Sequence, residues 1–187
     1  LLQTTVIQGM VLMLGENRMT LSFSLHADEA QIPALYGAAF PQEDLVPLVM
    51  ALLADKAVLP ISAVSGSALV GHVLFTRGRL EGRAETVALL GPLAVHPDHQ
   101  RQGIGKALIA EGLARLKAEG VAEVLVLGDP AYYSRSGFRP GSRVIPPYAL
   151  PAGWTEAWQW QRLNGSDVDI GGRLVLPDAW MRAELWG

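Results

Sequence analysis

Residues 91–117 read Gly-Pro-Leu-Ala-Val-His-Pro-Asp-His-Gln-Arg-Gln-Gly-Ile-Gly-Lys-Ala-Leu-Ile-Ala-Glu-Gly-Leu-Ala-Arg-Leu-Lys. The order is the end of a strand, a tight loop and the start of a helix. Leu89, Leu90, Leu93 and Val95 form a nearly continuous apolar run, as in a strand buried on both faces. His96-Pro97-Asp98 stops it. Beyond the loop, Gly105, Leu108, Ile109, Gly112, Leu113 and Leu116 step by three and four, which puts them on one helical face. Lys106, Glu111, Arg115, Lys117 and Glu119 fall largely outside that stripe, and Gly120 is a C-terminal stop.

The first turn of a helix presents free N–H groups and a partial positive charge. Glycines at Gly103 and Gly105 remove the Cβ atoms that would hold a ligand's oxygens away from those groups. Such a loop suits phosphate, and Arg101 and Lys106 can add charge. Taken alone it is equally a tight strand-to-helix turn. It is not the dinucleotide pattern Gly-x-Gly-x-x-Gly, because Leu108 stands at the third glycine position. Nor is it a phosphate loop ending in Gly-Lys-Ser/Thr.

Instead, Gln100-x-x-Gly103-x-Gly105 after Val95-His96-Pro97 resembles the acyl-CoA loop of the GNAT superfamily of N-acetyltransferases. A strand, Val124 to Leu127, and then Tyr133-Ser134-Arg135-Ser136-Gly137-Phe138 match its second motif, Tyr-x-x-x-Gly-Phe, in the same order and at the expected distance. Leu90 to Val95 and Leu127 to Tyr133 resemble a bacterial set labelled only as predicted N-acetyltransferases. The resemblance spans roughly residues 20 to 180. It implies an α+β fold (an α/β three-layer sandwich) with a mixed central sheet splayed between its fourth and fifth strands. It implies a cytoplasmic enzyme that moves an acetyl group from acetyl-CoA to a small-molecule or peptide amine by direct attack in a ternary complex. The pyrophosphate would lie on Gln100, Arg101, Gln102, Gly103, Ile104, Gly105 and Lys106. The pantetheine arm would pair with the backbone of Leu93, Ala94 and Val95, and Tyr133 would be the general acid. The base stays open among Glu85, Glu43, His72 and an ordered water. Where many members have asparagine after the strand, this chain has Gly128-Asp129-Pro130, leaving Asp129 to cap a short helix or to contact the arm. The alternatives are a non-catalytic acyl-CoA-binding sensor or pseudoenzyme, and transfer of a different acyl group.

The rest of the chain bounds this reading. A length of 187 residues, half of them apolar, fits a single globular domain, expected over 20–187. The net charge of −3, with no basic run, argues against nucleic acid. The absence of cysteine excludes disulfides and thiolate chemistry. His26, His72, His96 and His99 are scattered, so no metal is expected, and no apolar run has transmembrane length. Residues 1–19 are read as a tail or an added strand, with Met10, Met13 and Met19 as alternative starts of translation.

Leu21, Phe23 and Leu25 alternate with serines as in a strand. Asp28 is expected to cap a helix over Ala30–Phe40, and Pro41 to start another ending near Ala54. Strands follow at Val58–Val64 and Ala68–Arg77, and Gly78–Arg83 reads as a turn. His72 is either a buried, hydrogen-bonded histidine or a water-relayed base. Gly91-Pro92 predicts a bulge that opens the sheet beside residues 124–127. Trp154, Trp158 and Trp160 are placed on one face of a strand over 154–163. All five tryptophans follow residue 150 and suit a core, an acceptor pocket or a homodimer interface.

Overall fold

The computed structural model describes residues 6–7 (backbone only), 20–26, 28–165 and 170–187. In chain order the regular elements are β1 (Val6–Ile7), β2 (Leu21–Ser24), α1 (Ile32–Ala39), α2 (Val46–Leu53), β3 (Val58–Ser65), β4 (Ala68–Leu80) and β5 (Thr86–Val95). They continue with α3 (Ile104–Ala118), β6 (Glu123–Leu127), α4 (Pro130–Tyr133), β7 (Arg139–Pro140), β8 (Val144–Ile145), β9 (Trp158–Arg162) and β10 (Gly172–Val175).

The strands lie in the order β1-β2-β3-β4-β5-β6-β9-β7, with β10 on β4 and β8 on β10. All neighbours along that path are antiparallel except β5 and β6, which run parallel with α3 as their crossover. The sheet is mixed, as the resemblance implied.

Alternation along the strands sends side chains to both faces, and each face is covered. Val87 and Leu89 of β5 and Leu125 of β6 join α1, α2, Trp158, Trp180 and Trp186 in one cluster. Ala88 and Leu90 of β5, with Val124 and Val126 of β6, pack against Ile104, Leu108, Ile109 and Leu116 of α3 in the other. This is the three-layer α+β arrangement. Among the described residues, no helix is long and apolar enough to cross a membrane.

Four local assignments are corrected. Asp28 does not cap α1. Its carboxylate accepts from Ala30 N and Gln31 Nε2 in the preceding turn, and the cap position is Gln31, with no side-chain cap. Pro41 lies in a turn; the proline at the start of α2 is Pro47. Gly78–Leu80 continue β4: Gly78 and Arg79 pair with Val87 and Thr86 of β5, and Arg79 and Leu80 with Val175 and Leu174 of β10. Trp154 precedes β9, so only Trp158 and Trp160 share a strand. Of the N-terminal stretch, Val6–Ile7 pairs with β2, and the other residues up to 19 lie outside the described part.

Candidate active site

The site begins where two strands part. β5 pairs with β6 from Val87–Glu123 to Leu90–Val126, and the register ends there. Against β4, the step from Leu90 to Leu93 is opposed by only Phe75 to Val73, so β5 carries one extra residue at the predicted Gly91-Pro92 position. Gly91 has φ 142°, and the Gly91–Pro92 peptide is cis. Beyond the bulge β5 leaves β6 and stays with β4, so the split falls between the fifth and sixth strands, one later than expected, because Val6–Ile7 adds a strand before β2.

His96 N donates to Val70 O at 2.9 Å, so His96 and, two residues earlier, Ala94 turn their backbone groups toward β4. Ala94 therefore does not face the opening. Leu93 and Val95 do, which leaves a short free strand edge inside the sheet. The Val95 carbonyl is already held by Gln100 Nε2 at 3.1 Å. Gln100 thus ties the loop to the strand end, and Gln102 Nε2 likewise donates to Asp98 O at 3.2 Å.

These ties shape the turn into α3. Arg101 takes φ 59°, uncommon for a residue with a Cβ, and Gly103 takes φ 83° at the cap position. Ala107 N is the donor to Gly103 O, so the N–H groups of Ile104, Gly105 and Lys106 have no acceptor within the helix. They point into a cavity of about 550 Å³ lined by Val95, Arg101, Gly105, Lys106, Tyr132 and Arg135, among others. No carboxylate is among the described residues that line it. A Cβ at Gly105 would run into the Tyr132 hydroxyl, so this glycine is what lets a polar atom lie on the helix end.

A second cavity, of about 790 Å³, opens on the other side of the bulge. Its apolar walls include Phe40, Leu48, Pro92, Trp154, Trp180 and Trp186, and Glu43, Asp129, Glu156 and Glu184 add carboxylates. No Lys, Arg or His is among the described residues that line it. The two cavities share Phe40, Leu93 and Tyr133. One is cationic, the other acidic, and they meet where the strands separate.

Tyr133 stands at that junction. Asp129 caps α4 by accepting from Ala131 N at 2.9 Å, and a side chain at Gly128 would strike the Tyr133 ring. Gly128-Asp129-Pro130 therefore supports the tyrosine, with Asp129 in the capping role. Burial, and secondarily Tyr132, pushes the Tyr133 phenol well above its ordinary value, so it holds its proton. Tyr132 is 39% exposed and reaches the helix end instead.

The candidate bases separate. Glu43 lines the acidic cavity. Glu85 lines neither cavity and faces Arg83 at 3.9 Å. His72, on β4 beside β5, is wholly buried with Nδ1 2.9 Å from the Tyr36 hydroxyl, which is the hydrogen-bonded reading. Burial lowers its pKa to about 4. Arg77 pairs with Glu119 at 2.7 Å, and neither residue lines these two cavities. Phe40, Glu156 and Glu184 are additions to the site that carry no motif in the sequence, and Arg135 is a further addition, at a variable position of the Tyr-x-x-x-Gly-Phe motif. Trp180 and Trp186 serve as core and cavity wall together, with their indole N–H groups bonded to Thr76 Oγ1 and Trp180 O. Among the described residues, no group of three or more metal-ligating side chains is assembled.

Residues 27–138 match the model of the Acetyltransferase (GNAT) family. The uncharacterized N-acetyltransferase YjhQ of Escherichia coli K12 is 32% identical over 171 residues, covering 87% of this chain and 94% of its own. Two solved structures are similar across most of the chain. The GNAT family N-acetyltransferase YhbS of Escherichia coli, in complex with CoA, has a TM-score of 0.76 at 27% identity, covering 89% of this chain and 95% of that one. A GNAT family acetyltransferase of Brucella melitensis, in complex with acetyl-CoA, has a TM-score of 0.68 at 29% identity, covering 85% and 97%.

Proposed function

This chain belongs to the Acetyltransferase (GNAT) family, and on that footing we propose that it transfers the acetyl group of acetyl-CoA to an amine by direct attack in a ternary complex. The observation that carries the reading is the meeting of a cationic and an acidic cavity at Leu93 and Tyr133, across the opening between β5 and β6. A pyrophosphate is matched by the free N–H groups of Ile104, Gly105 and Lys106, with Arg101, Lys106 and Arg135 around them. The space over Gly105 holds a polar atom, the Tyr132 hydroxyl, where a Cβ would stand, and that hydroxyl, at the far end of a partly exposed side chain, can move aside for a phosphate oxygen. The backbone edge at Leu93 and Val95 matches an arm that pairs like an added strand.

The residues then divide the work. Leu93 N–H points into the opening and serves as the donor to the carbonyl oxygen as it gains charge. Tyr133, whose phenol is protonated at neutral pH and kept so by burial, gives its proton to the departing thiolate. The carboxylates of the second cavity attract a cationic amine and repel anionic acceptors. Glu43 is the candidate base that lines this cavity.

Calorimetric titration with CoA and with acetyl-CoA, followed by thiol release across mono-, di- and polyamines, tests the reading. Saturable one-to-one binding and amine-dependent thiol release are expected. Binding without release on any amine would reduce the protein to an acyl-CoA-binding module. No binding up to millimolar concentration would end the reading.

A further inference from the structure

Under the bulge of β5 lies a buried polar chain that the reaction above does not use. His72 on β4 is directly opposed by Ser62 on β3 and Ala94 on β5. Ser62, His72 and Tyr36 are each no more than 1% exposed. The Tyr36 hydroxyl is 2.9 Å from His72 Nδ1 and 3.5 Å from the Pro92 carbonyl oxygen. His72 Nε2 and Ser62 Oγ are buried without a hydrogen-bond partner.

A tyrosine hydroxyl has one hydrogen to give. If Tyr36 gave it to His72 Nδ1, the imidazole would carry its own hydrogen on Nε2, a buried donor with no acceptor, and the Pro92 carbonyl would receive nothing. With the other tautomer, Nδ1–H donates to the Tyr36 oxygen and the Tyr36 hydrogen goes to Pro92 O. Nε2 is then an acceptor. Buried N–H groups without an acceptor are the rarer fault, so the second arrangement is favoured.

The Pro92 carbonyl and the Leu93 N–H belong to one planar peptide unit and point in opposite directions. Fixing the carbonyl on the Tyr36 side therefore fixes the N–H on the side of the opening. Donation to a carbonyl also polarises the N–H of the same unit. We propose that Tyr36, held in place by His72, is a positioning residue that aims the Leu93 N–H into the opening between β5 and β6. That N–H matters to catalysis only on the acetyltransferase reading above, on which this inference rests.

Tyr36→Phe removes the hydroxyl and keeps the ring that packs on Phe40 and His72. The Leu93 amide resonance of the free protein is expected to move and its hydrogen exchange to quicken. The infrared carbonyl stretch of bound, carbonyl-¹³C acetyl-CoA is expected to shift back toward its frequency in solution, with calorimetric affinity unchanged within twofold. His72→Asn, whose amide N–H can replace Nδ1–H, should keep the wild-type spectra. His72→Leu should reproduce Tyr36→Phe, which stands alone if that variant fails to fold. An unmoved Leu93 resonance or carbonyl stretch in Tyr36→Phe would overturn the inference. Failure of the wild-type protein to bind acetyl-CoA would sink the acetyltransferase reading instead, and the Leu93 resonance of the free protein would still decide on the positioning.

Discussion

Tyr132 and Tyr133 stand edge to face, ring centroids 5.0 Å apart and planes at 83°, and direct their hydroxyls to different ends of the site. Tyr132 reaches the N-terminus of α3 over Gly105, while Tyr133 stands where the two cavities join. Adjacent residues on one short helix point about 100° apart. On the proposed reaction, that divergence gives Tyr132 the phosphate end and Tyr133 the reacting end. Tyr133→Phe should lower turnover by about 100-fold, in the range for loss of a general acid, with CoA affinity unchanged by calorimetry. Because the Tyr133 phenol is pushed up, the wild-type rate should show no loss from tyrosine ionisation up to pH 10.

Gly105→Ala sets a methyl group against the Tyr132 hydroxyl. The hydroxyl is the far end of a partly exposed side chain, so it moves at little cost and the melting temperature should hold within a few degrees. The methyl group still occupies the helix end. CoA affinity should fall at least tenfold, about 1.4 kcal/mol, by calorimetry.

Gly112→Ala tests packing away from the site. A Cβ there would overlap the wholly buried Phe75 ring. Alanine gains about 1 kcal/mol of helix propensity, but overpacking a closed core costs about 1–3 kcal/mol. Urea denaturation should show a net loss of up to about 2 kcal/mol, with the CoA dissociation constant unchanged.

His72 ties stability to pH. Its pKa is about 4 in the folded protein against 6.5 for an ordinary histidine. Above 6.5 both states are neutral and nothing is lost. As pH falls from 6.5 to 4 the unfolded chain takes up a proton that the folded chain refuses, so stability drops by about 3 kcal/mol and then levels. Urea midpoints at pH 7.5, 5.5 and 4.5 should fall more steeply for the wild type than for His72→Asn. Parallel curves would show that His72 titrates normally.

What was legible in the sequence is what local physics specifies. The loop at Gln100–Gly105, the apolar stripe of α3 and the bulge at Gly91-Pro92 each depend on residues a few positions apart. Assignments that failed depend on distant partners. Gly78–Leu80 looks like a turn by composition, yet Gly78 and Arg79 pair with β5, and β10, nearly a hundred positions on, pairs with Arg79 and Leu80, its Val175 carbonyl 2.9 Å from where a Cβ at Gly78 would stand. Pro41 and Pro47 carry the same helix-start signal, and only the packing of Leu48, Val49 and Leu52 selects the second. Tyr36 bears no motif. Its contacts with His72 and Pro92 span 36 and 56 positions and exist only once α1 lies across the sheet.

A strand edge with unpaired N–H and C=O groups is ordinarily a template on which another molecule's strand can add, the first step toward aggregation. The edge at Leu93 and Val95 escapes this by its place in the fold. It lies inside the sheet, in a wedge that closes to a paired ladder at Leu90 and Val126. A neighbouring chain has no flank along which to zip up, whereas a slender flexible arm can thread in from the open end. On the proposed reading, one split in the sheet thus acts as a steric filter, keeping hydrogen-bonding backbone on offer to a cosubstrate and closed to other proteins.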